Sequence, residues 1–342
     1  MYFDQRPQAS HRLPACDQGL LLPYGQGPEQ CDYLGMREAL INQVDGVFYL
    51  YYDGAGPRGW LACLAVSKDL KTWDLRGPVL DFGAPGEIDS GTATSPWIVN
   101  DGQRWHMFYV ACRGTTPPPD CIPSMPYFTR KASAPNPFGP WTKQPAVTPF
   151  DCLPGTYYAE TASPGHIIRL GDEWLMFFSA ARPAGPGEGW CPKRTLGIAR
   201  TRDLDGPWTP DADPIVPSSE QIENSSLYFD AASATWYLFT NHIGMPADGP
   251  NQCVEFTDAI WVYWSQDLEH WDAANKAVVL DGANCNWSRV CIGLPSVTRV
   301  GDRLALFYDA PGGDSASHMR RSIGLAWLEL PLSGVGSSSR KE

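Results

Sequence analysis

Acidic side chains recur ahead of strand-like segments at several separated points of this chain. Asp32 and Glu38 stand in Asp32-Tyr33-Leu34-Gly35-Met36-Arg37-Glu38, and Asp89 stands in Glu87-Ile88-Asp89-Ser90-Gly91. Glu160 opens Glu160-Thr161-Ala162-Ser163-Pro164-Gly165-His166, and Glu223 lies in Ile222-Glu223-Asn224-Ser225-Ser226. Asp32 and Asp89 hold the same place, seven residues before Ala39 and Pro96. Carboxylates gathered around one hollow raise the pKa of at least one of them. A pair whose protonation is separated in this way can break a glycosidic bond. One protonated acid serves the leaving oxygen, and one carboxylate serves water or attacks directly. Any single acid here also fits a surface carboxylate or an N–H cap; the set at matching positions is what points to a site.

Other polar groups follow strand ends. Arg37 precedes Glu38, and His242 and His318 could bind hydroxyls or poise a carboxylate near neutral pH, although a histidine beside a strand is more often structural. Asp258 opens a strand and has Arg289 or Arg37 as candidate partners. Trp97, Trp190 and Trp287 lie in segments on the same side, where one ring could carry the apolar face of a sugar. Packing remains the commoner role of a tryptophan.

The elements that would position these residues repeat. The phrases ending at Trp73, Trp141, Trp208 and Trp271 are alike, two of them reading Ser67-Lys68-Asp69-Leu70-Lys71-Thr72-Trp73 and Ser265-Gln266-Asp267-Leu268-Glu269-His270-Trp271. Their tryptophans are 68, 67 and 63 residues apart, and a fixed period of this length marks a repeat architecture. In step with them runs a tight turn followed by an aromatic strand, as in Asp45-Gly46-Val47-Phe48-Tyr49 and Gly301-Asp302-Arg303-Leu304. Short apolar runs precede the turns: Ala39 to Val44, Trp97 to Val99, His166 to Leu170, Leu227 to Phe229 and Val297 to Val300. With a third and a fourth strand, each repeat is a four-stranded antiparallel unit. The pattern therefore predicts an all-β chain, one domain over residues 1–342, folded as a five-bladed β-propeller. The blades fall at about 37–80, 95–149, 163–217, 224–282 and 294–332. The fifth lacks a fourth strand, which the N-terminal segment would supply through Leu20-Leu21-Leu22 to close the ring.

Composition narrows the partners. Lys and Arg number 26 against 38 Asp and Glu, a net charge of −12, and basic runs are confined to the Arg340-Lys341 tail. That argues against nucleic acid or an anionic membrane, and no apolar run reaches spanning length. The 33 Gly and 32 Pro serve turns, because 12% aromatic residues supply a core. The 10 cysteines leave the compartment open: an exported chain would pair them, a cytoplasmic one would keep free thiols. No cofactor is required by any motif, no metal-ligand spacing stands out, and a channel lined by carboxylates could still hold a structural calcium.

The strand, turn-Gly, aromatic strand and Ser-x-Asp-Leu-x-x-Trp pattern resembles the five-bladed propeller glycoside hydrolases over about residues 31–330. These are the families numbered 32, 43, 62, 68, 117 and 130, with 43 and 117 nearest in style. The resemblance implies a carboxylate from each of the first three blades. Glu38 falls at the first position, with Asp32 as competitor for base or nucleophile. Asp89 falls near the second, which orients and tunes, and Glu160 near the general acid. It implies hydrolysis of a terminal sugar, furanosidic or related, from a plant or algal oligosaccharide or polysaccharide. Two other readings stay open. One is phosphorolysis, for which Arg37, Arg289, His318, Arg320 and Arg321 could bind phosphate. The other is a non-catalytic sugar-binding propeller. Substrate-binding roles fall to Arg37, Glu223, His242, Asp258, Trp287, Arg289 and His318.

Overall fold

The computed structural model describes residues 9, 11–188, 191–244 and 256–332. Within them the chain is all-β apart from two single-turn 3-10 segments. Two strands come first, β1 (His11–Arg12) and β2 (Cys16–Leu22). Unit 1 follows as β3 (Gly35–Val44), β4 (Val47–Gly56), β5 (Gly59–Ser67) and β6 (Asp74–Pro78). Unit 2 is β7 (Thr92–Asn100), β8 (Trp105–Cys112), β9 (Phe128–Ala134) and β10 (Thr142–Lys143). Unit 3 is β11 (Thr161–Leu170), β12 (Glu173–Arg182), β13 (Lys193–Thr201) and β14 (Thr209–Pro210). Unit 4 is β15 (Ile222–Asp230), β16 (Thr235–Gly244), β17 (Phe256–Ser265) and β18 (Lys276–Asp281). Unit 5 is β19 (Gly293–Val300), β20 (Arg303–Ala310) and β21 (Ser322–Glu329).

Strands within each unit pair antiparallel in chain order. Units 1 and 2 are joined by a short parallel pairing of Trp60 with Thr92 and Leu61 with Ala93. The expected outer strand of unit 5 is β2, which pairs antiparallel with β21, Leu20 opposite Gly324 and Leu22 opposite Ile323. A pairing the sequence reading did not include is β1, laid parallel on β18. First strands touch in turn, β3 with β7, β7 with β11, β11 with β15, β15 with β19 and β19 with β3. Apolar clusters fill the space between consecutive units. Phe239, Ile260 and Val262 meet Leu304, Leu306 and Tyr308 between units 4 and 5. Ile41, Phe48 and Leu50 meet Phe307, Ile323 and Leu325 between units 5 and 1.

The recurrent Asp-Leu-x-x-Trp phrase has a local cause. Asp267 accepts the N–H groups of Glu269 and His270 at 2.9 Å, and Trp271 Nε1–H donates to Leu268 O at 2.9 Å. Asp69, Leu70 and Trp73 repeat the arrangement. The turn thus saturates its own backbone and swings the ring inward, where Leu268 and Trp271 join the core between units 3 and 4. Trp271→Ala is expected to cost about 3–5 kcal/mol in denaturant unfolding, as for other buried aromatics.

The first strands begin four or five residues earlier than the apolar runs predict. Each carries one register shift: between Arg37 and Leu40, Thr94 and Trp97, Ser163 and His166, Glu223 and Ser226, and Gly293 and Ser296. These bulges break the alternation that marks a strand in sequence, so the polar residues before them read as loop. Glu38, Ser95, Asn224 and Leu294 take positive φ there, 51°, 47°, 63° and 58°.

Among the described cysteines, Cys191 is disulfide-bonded, and Cys16, Cys31, Cys63, Cys112, Cys121, Cys152, Cys285 and Cys291 are free thiols. Among the described residues no helix is long and apolar enough to cross a membrane.

Candidate active site

One cavity collects side chains from all five units, and the bulges build its wall. Arg37 and Glu38 come from the bulge of β3, Thr94 and Ser95 from β7, Ser163 and Pro164 from β11, and Glu223 and Asn224 from β15. Asp53 on β4, Trp60 on β5, Arg194 on β13 and Thr257 on β17 complete it, with His318 and Arg321 from the segment entering β21. A bulge turns its residues away from the sheet face and is often found beside active sites. Here the same irregularity, repeated around the molecule, aims a residue of each of four units into one space.

Three carboxyl groups share that space: Glu38, Asp53 and Glu223. Burial pushes the Glu38 carboxyl up to about 8, helped by the negative charge of Asp53 and opposed by Arg37. Glu38 is therefore held protonated at neutral pH, although it faces an open cavity. Asp53 is raised less, to about 6, by its own burial. It accepts hydrogen bonds from Ser95 N–H at 2.6 Å, Ser95 Oγ at 2.9 Å and Thr94 Oγ1 at 3.0 Å, all of which favour its charged form. Glu223 is the third, and its Oε1 accepts from Arg194 Nη1 at 2.7 Å. The arrangement thus contains one carboxylic acid with a retained proton and one carboxylate on a guanidinium, in a single cavity.

The basic side is distributed unevenly. Arg321 is 1% exposed and bonds Asp309 Oδ1 at 2.5 Å and Thr257 Oγ1 at 3.0 Å. Arg37 instead bonds His318 at 2.5 Å through Nη1, lies over the Trp60 ring at 5.7 Å, and stands 4.0 Å from Asp309. Its buried Nε has no hydrogen-bond partner. Burial, then the charge of Arg37, pushes His318 well below the usual histidine range, so the imidazole contributes no charge.

The candidates drawn from sequence divide. Glu38, Arg37, Glu223 and His318 line the cavity. Asp32, Asp89 and Glu160 do not. Asp32 is buried against the N-terminal segment and accepts Gly27 N–H at 2.9 Å. Asp89 accepts Tyr109 O–H at 2.8 Å and Lys143 Nζ at 2.6 Å beside a separate groove. Glu160 meets its neighbours through the main chain, its N–H donating to Ala181 and its carbonyl accepting from Tyr127. The displacement follows from the bulges: these acids were counted from strand starts that lie four or five residues further on in sequence than the real ones.

His242 and Asp258 bond each other at 2.6 Å, buried behind the wall, with the His242 ring stacked on Trp261 at 5.2 Å. Neither lines the cavity. Arg289 pairs with Asp314 on the surface, not with Asp258. Trp287 donates to Tyr308 O–H at 2.7 Å, and Trp97 packs on His166 at 5.3 Å. Trp190 lies outside the described residues. Among the described residues the tryptophan that lines the cavity is Trp60, whose Nε1–H donates to Asp120 O at 2.9 Å. Sequence reading missed Asp53, Trp60, Ser95 and Arg194. A usable signal existed for Asp53, since Tyr52-Asp53 and Tyr308-Asp309 follow the aromatic runs of equivalent strands. Among the described residues no three or more His, Cys, Asp or Glu gather as they would around a metal ion.

This geometry can be set beside known proteins. No protein-family model matches the chain. In fold it is similar to a solved BT0996 RGII complex, with a TM-score of 0.68, 15% identity and 92% of each chain covered. It is also similar to the catalytic domain of a family 62 α-L-arabinofuranosidase from Coprinopsis cinerea, at 0.61 and 14% identity over 94% of this chain and 98% of that one. A third likeness is to Zg3597, a family 117 glycoside hydrolase from Zobellia galactanivorans, at 0.58 and 14% over 94% and 91%. The chain has the fold of the propeller glycoside hydrolases. A shorter sequence match, 40% identical over 50 residues, links it to a 1,2-β-oligomannan phosphorylase of Thermoanaerobacter sp. (strain X514). That match spans 14% of this chain and 17% of that protein.

Proposed function

We propose that the five units are the blades of one closed propeller, and that the chain is a glycosidase using Glu38 and Glu223. Glu38 donates its proton to the departing glycosidic oxygen. Glu223, oriented by Arg194, is the carboxylate that assists attack at the anomeric carbon. Burial, with the charge of Asp53 adding to it, keeps Glu38 protonated, and Asp53 fixes Ser95 beside it. Trp60 gives the sugar ring an apolar face. The observation that carries this reading is the cavity itself, where a carboxyl raised to about 8 shares one space with a carboxylate on arginine. A separated pair of this kind is what glycoside cleavage needs.

The substrate is proposed as a terminal sugar, furanosidic or related, of a plant or algal oligosaccharide or polysaccharide. Names of fold neighbours support the class, among them an α-L-arabinanase from Cellvibrio cellulosa in complex with arabinohexaose. The test is a screen of aryl glycosides, including arabinofuranosides, and of such oligosaccharides, each with and without inorganic phosphate. Release of sugar without phosphate is the expected result; no release from any of them would overturn the reading.

A second reading is phosphorolysis. Arg37 favours it, because its guanidinium lines the cavity with no carboxylate in hydrogen-bond range. The 50-residue match to a phosphorylase points the same way. Turnover that requires phosphate and yields a sugar phosphate would select it. In either case Glu160 takes no part. Glu160→Gln is expected to leave kcat within about twofold of wild type, as for a substitution outside the catalytic cavity, measured by steady-state kinetics on the best substrate of the screen.

A further inference from the structure

The bulges that aim Glu38 and Glu223 are each held by a side chain of the preceding unit. Asp309 on β20 accepts the Glu38 N–H through Oδ2 at 2.8 Å. Ser179 on β12 accepts the Asn224 N–H through Oγ at 2.9 Å, one residue after Glu223. Asp53 on β4 accepts the Ser95 N–H at 2.6 Å. The three acceptors are equivalent in register: Asp309 is opposite Gly293, Ser179 opposite Ser163 and Asp53 opposite Arg37, the last pair before the bulge of each unit. Two units depart from this. In unit 4 the equivalent residue is Asn241, opposite Glu223, whose Oδ1 accepts from Asn224 Nδ2 at 3.2 Å and not from the N–H of Leu294 among the described residues. Unit 2 has no N–H to hold. Its equivalent residue is Val110, opposite Thr94, and the bulge it faces has Pro164, which has no N–H to satisfy.

We propose that Asp309 and Ser179 are positioning residues, latches that set the two reacting carboxyl groups by fixing the bulge of the next unit. The physical need is specific. A non-glycine residue at φ near +50° is disfavoured and persists only where its surroundings over-determine it. Glu38 at 51° and Asn224 at 63° are such residues. Their N–H groups, turned out of the strand ladder by the bulge, must find an acceptor. A buried side-chain oxygen from the neighbouring unit supplies it and removes the freedom to flip. Neither latch lines the cavity, so neither touches substrate. This inference rests on Glu38 and Glu223 being the reacting pair.

Ser179→Ala and Ser179→Thr test it with little risk to the fold, and Asp309→Asn and Asp309→Ala form the companion series. Ser179→Ala is expected to lower kcat by about ten- to a hundredfold with KM nearly unchanged, the cost of a misplacement near an ångström. Ser179→Thr keeps the oxygen and restores the rate. Asp309→Asn keeps an acceptor for Glu38 and loses less than Asp309→Ala. Residue-resolved amide exchange reads the latch without any substrate: Asn224 should exchange faster in Ser179→Ala, and Glu38 faster in Asp309→Ala. Unchanged exchange at Asn224 overturns the latch. Faster exchange with unaltered kcat overturns its positioning role. A wild-type chain that cleaves no glycoside sinks the catalytic reading and, with it, the positioning role, while the exchange result still decides the latch.

Discussion

Glu223→Gln is expected to reduce turnover by about 10³- to 10⁴-fold while leaving sugar binding measurable, the range lost when a positioned acid–base group is removed. Glutamine keeps the shape and still offers an oxygen to Arg194 Nη1, now 2.7 Å from Glu223 Oε1, but it cannot carry the charge that assists attack. Arg194 is 5% exposed, so truncation to alanine would also take a carboxylate away from a buried cation. Glutamine is thus the cleaner probe. Steady-state kinetics with a binding isotherm and a melting curve separate the outcomes. Lost turnover with retained binding and melting temperature supports the role. Undiminished turnover removes Glu223 from the mechanism.

The second large effect concerns Glu38, and its signature is the leaving group. An acid is needed where the departing oxygen is basic and hardly needed where it is not. Glu38→Gln should therefore lose about 10³-fold on a natural glycoside and far less on a nitrophenyl glycoside. In the proposed role Glu38 acts in its protonated form, and with its carboxyl raised to about 8, wild-type kcat/KM should fall as pH rises through 8. The alkaline limb should vanish in Glu38→Gln. An equal loss on both substrates, with the limb intact, would remove Glu38 as the acid.

The same group predicts a stability effect of definite sign. The folded state holds the proton more tightly than the unfolded chain, whose glutamate titrates near 4.5. Between those values the folded state binds more protons, so stability falls as pH rises. Glu38→Gln is spared this loss. It should gain melting temperature over wild type at pH 8.5 more than at pH 5. If Glu38 is the acid, the site is destabilised by its own function above pH 4.5, a cost the proposed latches on Glu38 and Asn224 would help to contain.

Several parts of this protein were legible in order of residues. The turn phrases at Trp73 and Trp271 are closed by contacts two or three residues away, so their spacing carried the repeat directly. Leu20-Leu21-Leu22 could be matched to a missing outer strand because the fifth repeat was short by one. Of the residues singled out from sequence, Arg37, Glu38, Glu223 and His318 line the cavity, the first three from the starts of β3 and β15 and His318 from the segment before β21.

The errors have one source. A bulge places two residues against one, and the alternation that betrays a strand stops at it. Residues 35–38, 92–95 and 161–164 therefore read as approach loops, and Asp32, Asp89 and Glu160 were placed nearer the cavity than they are. Asp53 was passed over for another reason. It stands inside β4 among core neighbours, and its bond to Ser95 of the adjoining unit reveals which way it turns.

Sequence alone determined the repeat, its strand count and the acidic character of the segments entering each first strand, because hydrophobic period and turn chemistry act between near neighbours. Which acids meet was decided by tertiary structure. The bonds from Asp309 to Glu38 and from Arg194 to Glu223 join residues 271 and 29 positions apart. The burial that holds a proton on Glu38 exists only once separate sheets close around it.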